Sequence, residues 1–160
     1  LIIRNHAIVN VSWNNQNTRL NQWYDTLDPE VQAMVQPVSD SFVTGAVPDA
    51  DVTWSDPARW VPNNLDNFPE IAADVTTVVS TGTPRAFALS LADVARLSGP
   101  GTAFTGRLER PAADNAWWWI RTPGASGYAW LINTHGRLLA TEEVGLSRLS
   151  GGIRPALIVH

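Results

Sequence analysis

Three consecutive tryptophans, Trp117, Trp118 and Trp119, form the most unusual run in the chain, and Tyr128, Trp130, Asn133 and His135 follow shortly after. Indole and phenol rings offer flat apolar faces with a polar handle, which suits them to stack on sugar rings or on a partner's side chains. In a strand, successive side chains point to opposite faces, so Trp118 would point one way and Trp117 and Trp119 the other. Rings facing inward would be core anchors; rings on an uncovered face would be a contact surface. On this reasoning Trp117, Tyr128, Trp130, Asn133 and His135, joined by Trp54 and Trp60, are the candidate ligand-contacting residues. At least two of Trp54, Trp60, Trp117, Tyr128 and Trp130 are expected to share one exposed patch.

Other chemistries find less support. Asp49, Asp51, Asp56, Asp66, Asn63, Asn64 and Asn67 could supply oxygen ligands to calcium, but they follow no ordered ligand spacing, and turns use the same residue types for local backbone bonding. His6, His135 and His160 have no HxH or HExxH spacing. GASG at 124–127 is not the GxSxG of a hydrolase elbow. Glu142 and Glu143 are adjacent and would diverge on a strand instead of converging as an acid pair. GPGTAFTG at 99–106 lacks the lysine of a phosphate cradle. No catalytic residue, metal or cofactor is assigned.

Composition narrows the classes further. The 160 residues include no Lys and no Cys, so Schiff-base, Ser-Lys, thiolate and disulfide chemistry are all absent. The net charge is −4, with all 11 basic residues being arginine and none of them clustered, which argues against a nucleic-acid partner. No run approaches the ~20 apolar residues a membrane-spanning helix needs. With 44% hydrophobic residues the chain can build a core, and the expectation is a single domain over 1–160, monomeric in isolation. Starting at Leu1 in a strand-like stretch, it reads as a processed product or a piece of a longer protein.

The elements that must position these side chains follow from local patterning. LIIRNHAIVNV at 1–11 predicts one or two short strands. Leu20, Trp23, Tyr24 and Leu27 share one helical face, with Asn14 to Asn17 as possible caps. Asp28, Pro29 and Glu30 open a second short helix that Pro37 ends. Residues 37–84, rich in Pro, Asp and Asn, predict a long elaborated loop. Phe87 to Leu89 predicts a buried strand, and Ser90 with Asp93 a capping box for a helix that stops at Gly99. WWWIRT, GYAWLIN, RLLAT and IRPALIV predict strands in the C-terminal third.

These C-terminal strings carry a resemblance. WWWIRTPG at 117–124, GYAWLINTHGRL at 127–138 and GGIRPALIV at 151–159 resemble the C-terminal signature of an uncharacterised bacterial extracellular domain family, which runs WWLRSPG, a hairpin and GVRPAL. LIIRNHAI, TRLNQWYDTL and RAFALSLADV resemble its earlier strand, first helix and FLLSLEEV segment; residues 37–84 match nothing in it. The resemblance implies an α+β, distantly C-type-lectin-like domain. Two or three short helices would precede a mainly antiparallel sheet, and the first and last strands would pair, Leu1 to Ile3 beside Ala156 to Val159.

It further implies a bacterial surface protein, secreted or attached to the cell wall, and a structural signature of Trp118, Trp119, Arg121, Pro123, Gly124, Gly152, Arg154 and Pro155. Arg121 and Arg154 could receive anions, but an arginine in a Pro-bounded strand more often fastens loops through carbonyls or a buried acid. The calcium strings EPN, QPD and WND of sugar-binding C-type lectins are absent, as are the cysteines of formylglycine-generating enzymes. The expected function is a non-catalytic extracellular binding module that contacts glycan or cell-surface protein through its aromatic and polar face. The rivals are a structural spacer with every Trp in the core and a glycan-acting enzyme.

Overall fold

The computed structural model describes residues 1–160 and is α+β, with four short helices, one mixed five-stranded sheet and two small two-stranded sheets. The 1–11 stretch divides into β1 (Ile2–Ile3) and β2 (Ile8–Val9). The C-terminal third supplies β5 (Trp117–Pro123), β6 (Tyr128–Ile132), β7 (Leu138–Glu143), β8 (Gly151–Ile153) and β9 (Ala156–Leu157). The main sheet has the order β2-β8-β5-β6-β7. All its pairings are antiparallel except β5 with β8, where Trp117 to Trp119 lie beside Gly151 to Ile153 in parallel. The chain's two ends meet as expected: β1 pairs with β9, Ile2 opposite Leu157 and Ile3 opposite Ala156.

Strand alternation sorts the side chains into two cores, one on each face of this sheet. Trp118, Ile120, Trp130, Ile132, Leu138 and Ala140 enter the larger cluster, and Trp119, Ala129, Leu131 and Ile153 the smaller. The larger is closed by the 37–84 excursion, which contributes Val38, Val47, Val52 and Ile71, and by Leu91 and Val94 of α4 (Leu91–Arg96). The smaller is covered by α1 (Gln16–Asp25), with Leu20 fully buried and Trp23 and Tyr24 half-buried, and by Trp13 just before it.

The excursion is tied at its mouth. β3 (Pro37–Val38) pairs with β4 (Thr83–Pro84), Pro37 opposite Pro84, so the two ends of the loop are clipped together. Between them lie one short α-helix, α3 (Pro69–Ala72), and two single 3-10 turns, Asp49–Asp51 and Leu65–Asn67. Four of the Asp and Asn side chains, Asp49, Asp56, Asn63 and Asn64, bond within the loop or to the sheet beside it. Asn64 Oδ1 accepts from Thr53 N–H at 3.0 Å, and Asp56 Oδ1 accepts from the backbones of Ala58 and Trp60. Asp49 Oδ2 takes a 2.6 Å ion pair from Arg59 and a 2.7 Å bond from Ala140 N–H, which caps the free edge of β7. No group of three or more acidic, His or Cys side chains is arranged to hold a metal.

Local signals are realised unevenly. The second helix, α2 (Pro29–Gln32), starts at Asp28 with Pro29 in its first turn, but the Asp28 side chain makes no capping bond, and neither does Asn15 before α1. Ser90 and Asp93 do form a complete capping box. Phe87 to Leu89 is buried but is not a strand. It makes one bridge, Phe87 to Ala156, and Leu89 O accepts from Arg121 N–H at 2.8 Å.

The signature residues lie in and around the cores. Trp118 and Trp119 are fully buried, their indole N–H groups donating to the carbonyls of Arg110 and Val11. Arg121 reaches Asp74 at 2.6 Å, Thr76 Oγ1 at 2.6 Å and Ala88 O at 3.0 Å, with Asp93 at 3.5 Å. The Asp93 carboxylate that caps α4 also accepts from Thr76, through its N–H at 2.7 Å and its hydroxyl at 2.6 Å. Burial pushes the Asp74 carboxyl above its ordinary range, against the lowering pull of Arg121.

Arg154 meets carbonyls instead of an acid, donating to Arg4 O and Arg110 O at 2.8 Å each over the Trp118 ring, and desolvation brings its pKa down to about 10. Pro123 O accepts from Val47 N–H and Pro155 O from Arg4 N–H, while Gly124 N–H donates to Tyr128 O. Gly152 is fixed by space: a Cβ there would stand 1.8 Å from Ile8 O, so β2 could not approach β8 past any larger residue.

Candidate functional site

The two sheet faces differ in how completely they are covered, and the opening lies on the face that carries Trp117. A cleft of about 170 Å³ is lined by Trp117, Leu131, Asn133, Thr134, Leu139, Thr141, Glu142, Leu146 and Arg148. β5, β6 and β7 supply its first members by alternation, since Trp117, Leu131, Leu139 and Thr141 all point to this face. The segment after β7 folds back with Leu146 and Arg148, and β8 then returns beside β5.

Trp117 is half-buried. Its ring meets Trp119 edge-on at 5.0 Å, and its indole N–H donates to Ser150 Oγ at 3.1 Å, so one face of the ring is held while the remainder borders the cleft. Asn133 closes the β6–β7 turn, its Oδ1 accepting from the backbones of His135 and Arg137 at 2.9 Å each. That bonding fixes the side chain. Glu142 and Arg148 are exposed, and neither is held in an ion pair, so both charges are free to face a ligand. Chemically the cleft offers a positioned aromatic ring, an anchored amide, two threonine hydroxyls, one acid and one guanidinium around an apolar floor.

The sequence-predicted contact residues do not converge there as a set. Trp117 and Asn133 are at the cleft; His135 is exposed in the adjoining turn but does not line it, and its carbonyl accepts from Arg107. Tyr128 is exposed at the opposite end of β6, paired with Glu143. Trp130 corrects the expectation outright. It is fully buried, with its indole N–H donating to Val47 O at 2.9 Å, because its position on β6 turns it to the face that the excursion closes.

Trp54 and Trp60 pack half-buried against that same closed core. Trp54 sits 6.1 Å from Trp130 with the Arg59 guanidinium over its ring, and Trp60 lies under Arg110 at 4.0 Å. Arg110 is itself wholly buried, and desolvation lowers its pKa to about 9. Of Trp54, Trp60, Trp117, Tyr128 and Trp130 only Tyr128 is exposed, so the expected exposed patch of at least two of them does not form.

Sequence reasoning missed Leu131, Leu139, Thr141, Leu146, Arg148 and Thr134, and it weighed Glu142 only as half of an acid pair. Period-2 alternation along β6 and β7 carried the signal for the first three, whereas the fold-back that brings Leu146 and Arg148 has no local pattern. Comparison with family models, with curated proteins and with solved structures finds no match to the chain. No helix is long and apolar enough to cross a membrane.

Proposed function

We propose that this chain is a non-catalytic extracellular binding module of C-type-lectin-like type, and that it contacts glycan or cell-surface protein through the Trp117 cleft. The observation that carries the reading is the half-covered sheet face itself. There a ring fixed by Trp119 and Ser150 borders an opening whose other polar groups, Asn133, Glu142 and Arg148, are positioned or free to bond. An aromatic platform beside an amide and charged groups is the arrangement that stacks on a sugar ring or a partner side chain and fixes its orientation. The pairing of β1 with β9 and the α+β layout support the lectin-like part of the proposal. The extracellular placement rests on the resemblance of the motifs at 117–124 and 151–159.

A second reading, a structural spacer, draws on the remaining tryptophans. Trp118, Trp119 and Trp130 are fully buried and Trp13, Trp23, Trp54 and Trp60 half-buried, so Trp abundance by itself argues for a core. An array of glycans and cell-surface proteins probed with the purified chain and with Trp117→Ala separates the two. Binding module predicts reproducible hits that Trp117→Ala loses while keeping its fold. A blank array favours the spacer, whereas hits indifferent to Trp117 overturn the cleft as the contact surface.

A further inference from the structure

A glycan and a protein make different demands on the Trp117 cleft, and its lining meets one set better than the other. Leu131, Leu139 and Leu146 give it an apolar floor, which offers nothing to a hydroxyl. A sugar ring is edged with hydroxyls all round, and each one laid on that floor would lose its water without replacement. Part of the polar inventory is already spent. The Trp117 indole N–H goes to Ser150 Oγ, and Asn133 Oδ1 accepts from the backbones of His135 and Arg137. One face of the Trp117 ring is taken as well: a Cβ at Gly151 would stand 2.0 Å from both Cδ2 and Cε2 of the indole, so the bare Gly151 backbone lies against it. The cleft is thus an apolar hole more than a platform of hydrogen-bonding groups.

The rim points the same way. Glu142 of β7 and Arg148 of the segment that folds back after it both line the opening, both are exposed, and neither is in an ion pair, so the rim carries one unmatched charge of each sign. A neutral glycan answers neither charge, and an acidic one answers only Arg148. Leu149, between Arg148 and the Ser150 that holds the ring, is 79% exposed, which extends apolar surface past the rim. An apolar centre ringed by polar and charged groups is the anatomy of a protein interface, where one buried anchor carries most of the binding and the rim sets its register. We infer that the occupant is a protein segment that seats one apolar side chain on Leu131, Leu139 and Leu146. An acid of that segment faces Arg148, a base faces Glu142, and Leu149 packs on the partner's own apolar surface. The inference rests on the reading of the cleft as a contact site and narrows its partner from glycan or protein to protein.

The test sets a phage-displayed library of random peptides beside the glycan array, both probed with the purified chain. Enriched peptides are expected to share an apolar residue flanked by an acid and a base, and to lose binding to Trp117→Ala. Glu142→Lys and Arg148→Glu should each weaken them about tenfold, and Leu149→Ser should weaken them as well. All three substitutions are at exposed positions, so the fold is kept. Replacing the peptide's base by an acid should restore binding to Glu142→Lys, a rescue that a merely structural role for Glu142 would not give. Glycans bound through Trp117 with no such peptide enriched overturn the inference and leave the contact reading standing. Failure of both probes overturns the two together. Peptides whose affinity ignores Trp117→Ala, or ignores both charge reversals, overturn the inference by placing the binding elsewhere.

Discussion

Trp117 and Trp118 are neighbours on one strand, yet they belong to opposite worlds. Trp118 enters the core that the clipped 37–84 excursion and α4 close completely, whereas Trp117 sits on the face that α1 and Trp13 cover only in part. The difference teaches that a tryptophan's role here is set by what lies over its sheet face, not by its residue type or its place in a motif. The closed face consumes its rings, Trp118, Trp130, Trp54 and Trp60, in packing and in stacking beneath arginines. On the half-covered face, Trp117 borders the opening between the sheet and the segment that folds back after β7.

The most damaging way to break this arrangement is through the arginine that ties the excursion to the sheet. Arg121→Ala would leave Asp74 buried with no cation and Asp93 with only the half-exposed Arg96 at 3.7 Å, at a cost of about 3–5 kcal/mol. That is a large part of the ~5–15 kcal/mol by which a domain is stable. Urea denaturation should show the variant largely unfolded or with a steeply lowered midpoint, and an unchanged midpoint would mean the network is not structural.

The two faces can be compared directly with a pair of indole truncations. Trp130→Ala on the closed face is expected to cost about 3–5 kcal/mol, while Trp117→Ala, half-buried, should cost roughly 1 kcal/mol. Equal losses would erase the distinction between the faces. Arg154→Ala sharpens the point within the signature: its partners are the Arg4 and Arg110 carbonyls, so about 1–3 kcal/mol is expected, less than at Arg121.

The smallest effect is in pH. With its folded pKa raised above the unfolded value, Asp74 contributes stability that is complete below the ordinary carboxylate range and declines as pH rises through its folded pKa. An NMR titration of the Asp74 carboxyl carbon should give a midpoint above that of an ordinary aspartate. A midpoint below it would show that Arg121 outweighs burial.

Much of this organisation was legible in the sequence. The pairing of Ile2 and Ile3 with Leu157 and Ala156, the Ser90–Asp93 box and the helix carrying Leu20 follow from local pattern and from the resemblance at the chain's ends. Alternation at 117–119 correctly required neighbouring rings to diverge. It could not say which face would be covered, because the cover comes from 37–84, whose mouth is a two-residue pairing of Pro37 with Pro84 that has neither period nor propensity. Trp130 was misplaced for that reason. The parallel pairing of β8 with β5, which brings the Leu146–Arg148 segment to the cleft, is equally invisible locally. So is the second duty of Asp93, read from sequence as a cap and found in space beside Thr76 and Arg121.

The central claim, that a partner meets the half-covered face and not the closed one, is tested most directly on the indole N–H signals of the eight tryptophans. They are to be recorded by ¹H–¹⁵N NMR before and after addition of the strongest array ligand. The account predicts that the Trp117 signal shifts saturably while Trp118, Trp130, Trp54 and Trp60 stay in place. Shifts confined to Trp54 and Trp60, with Trp117 unmoved, would contradict it.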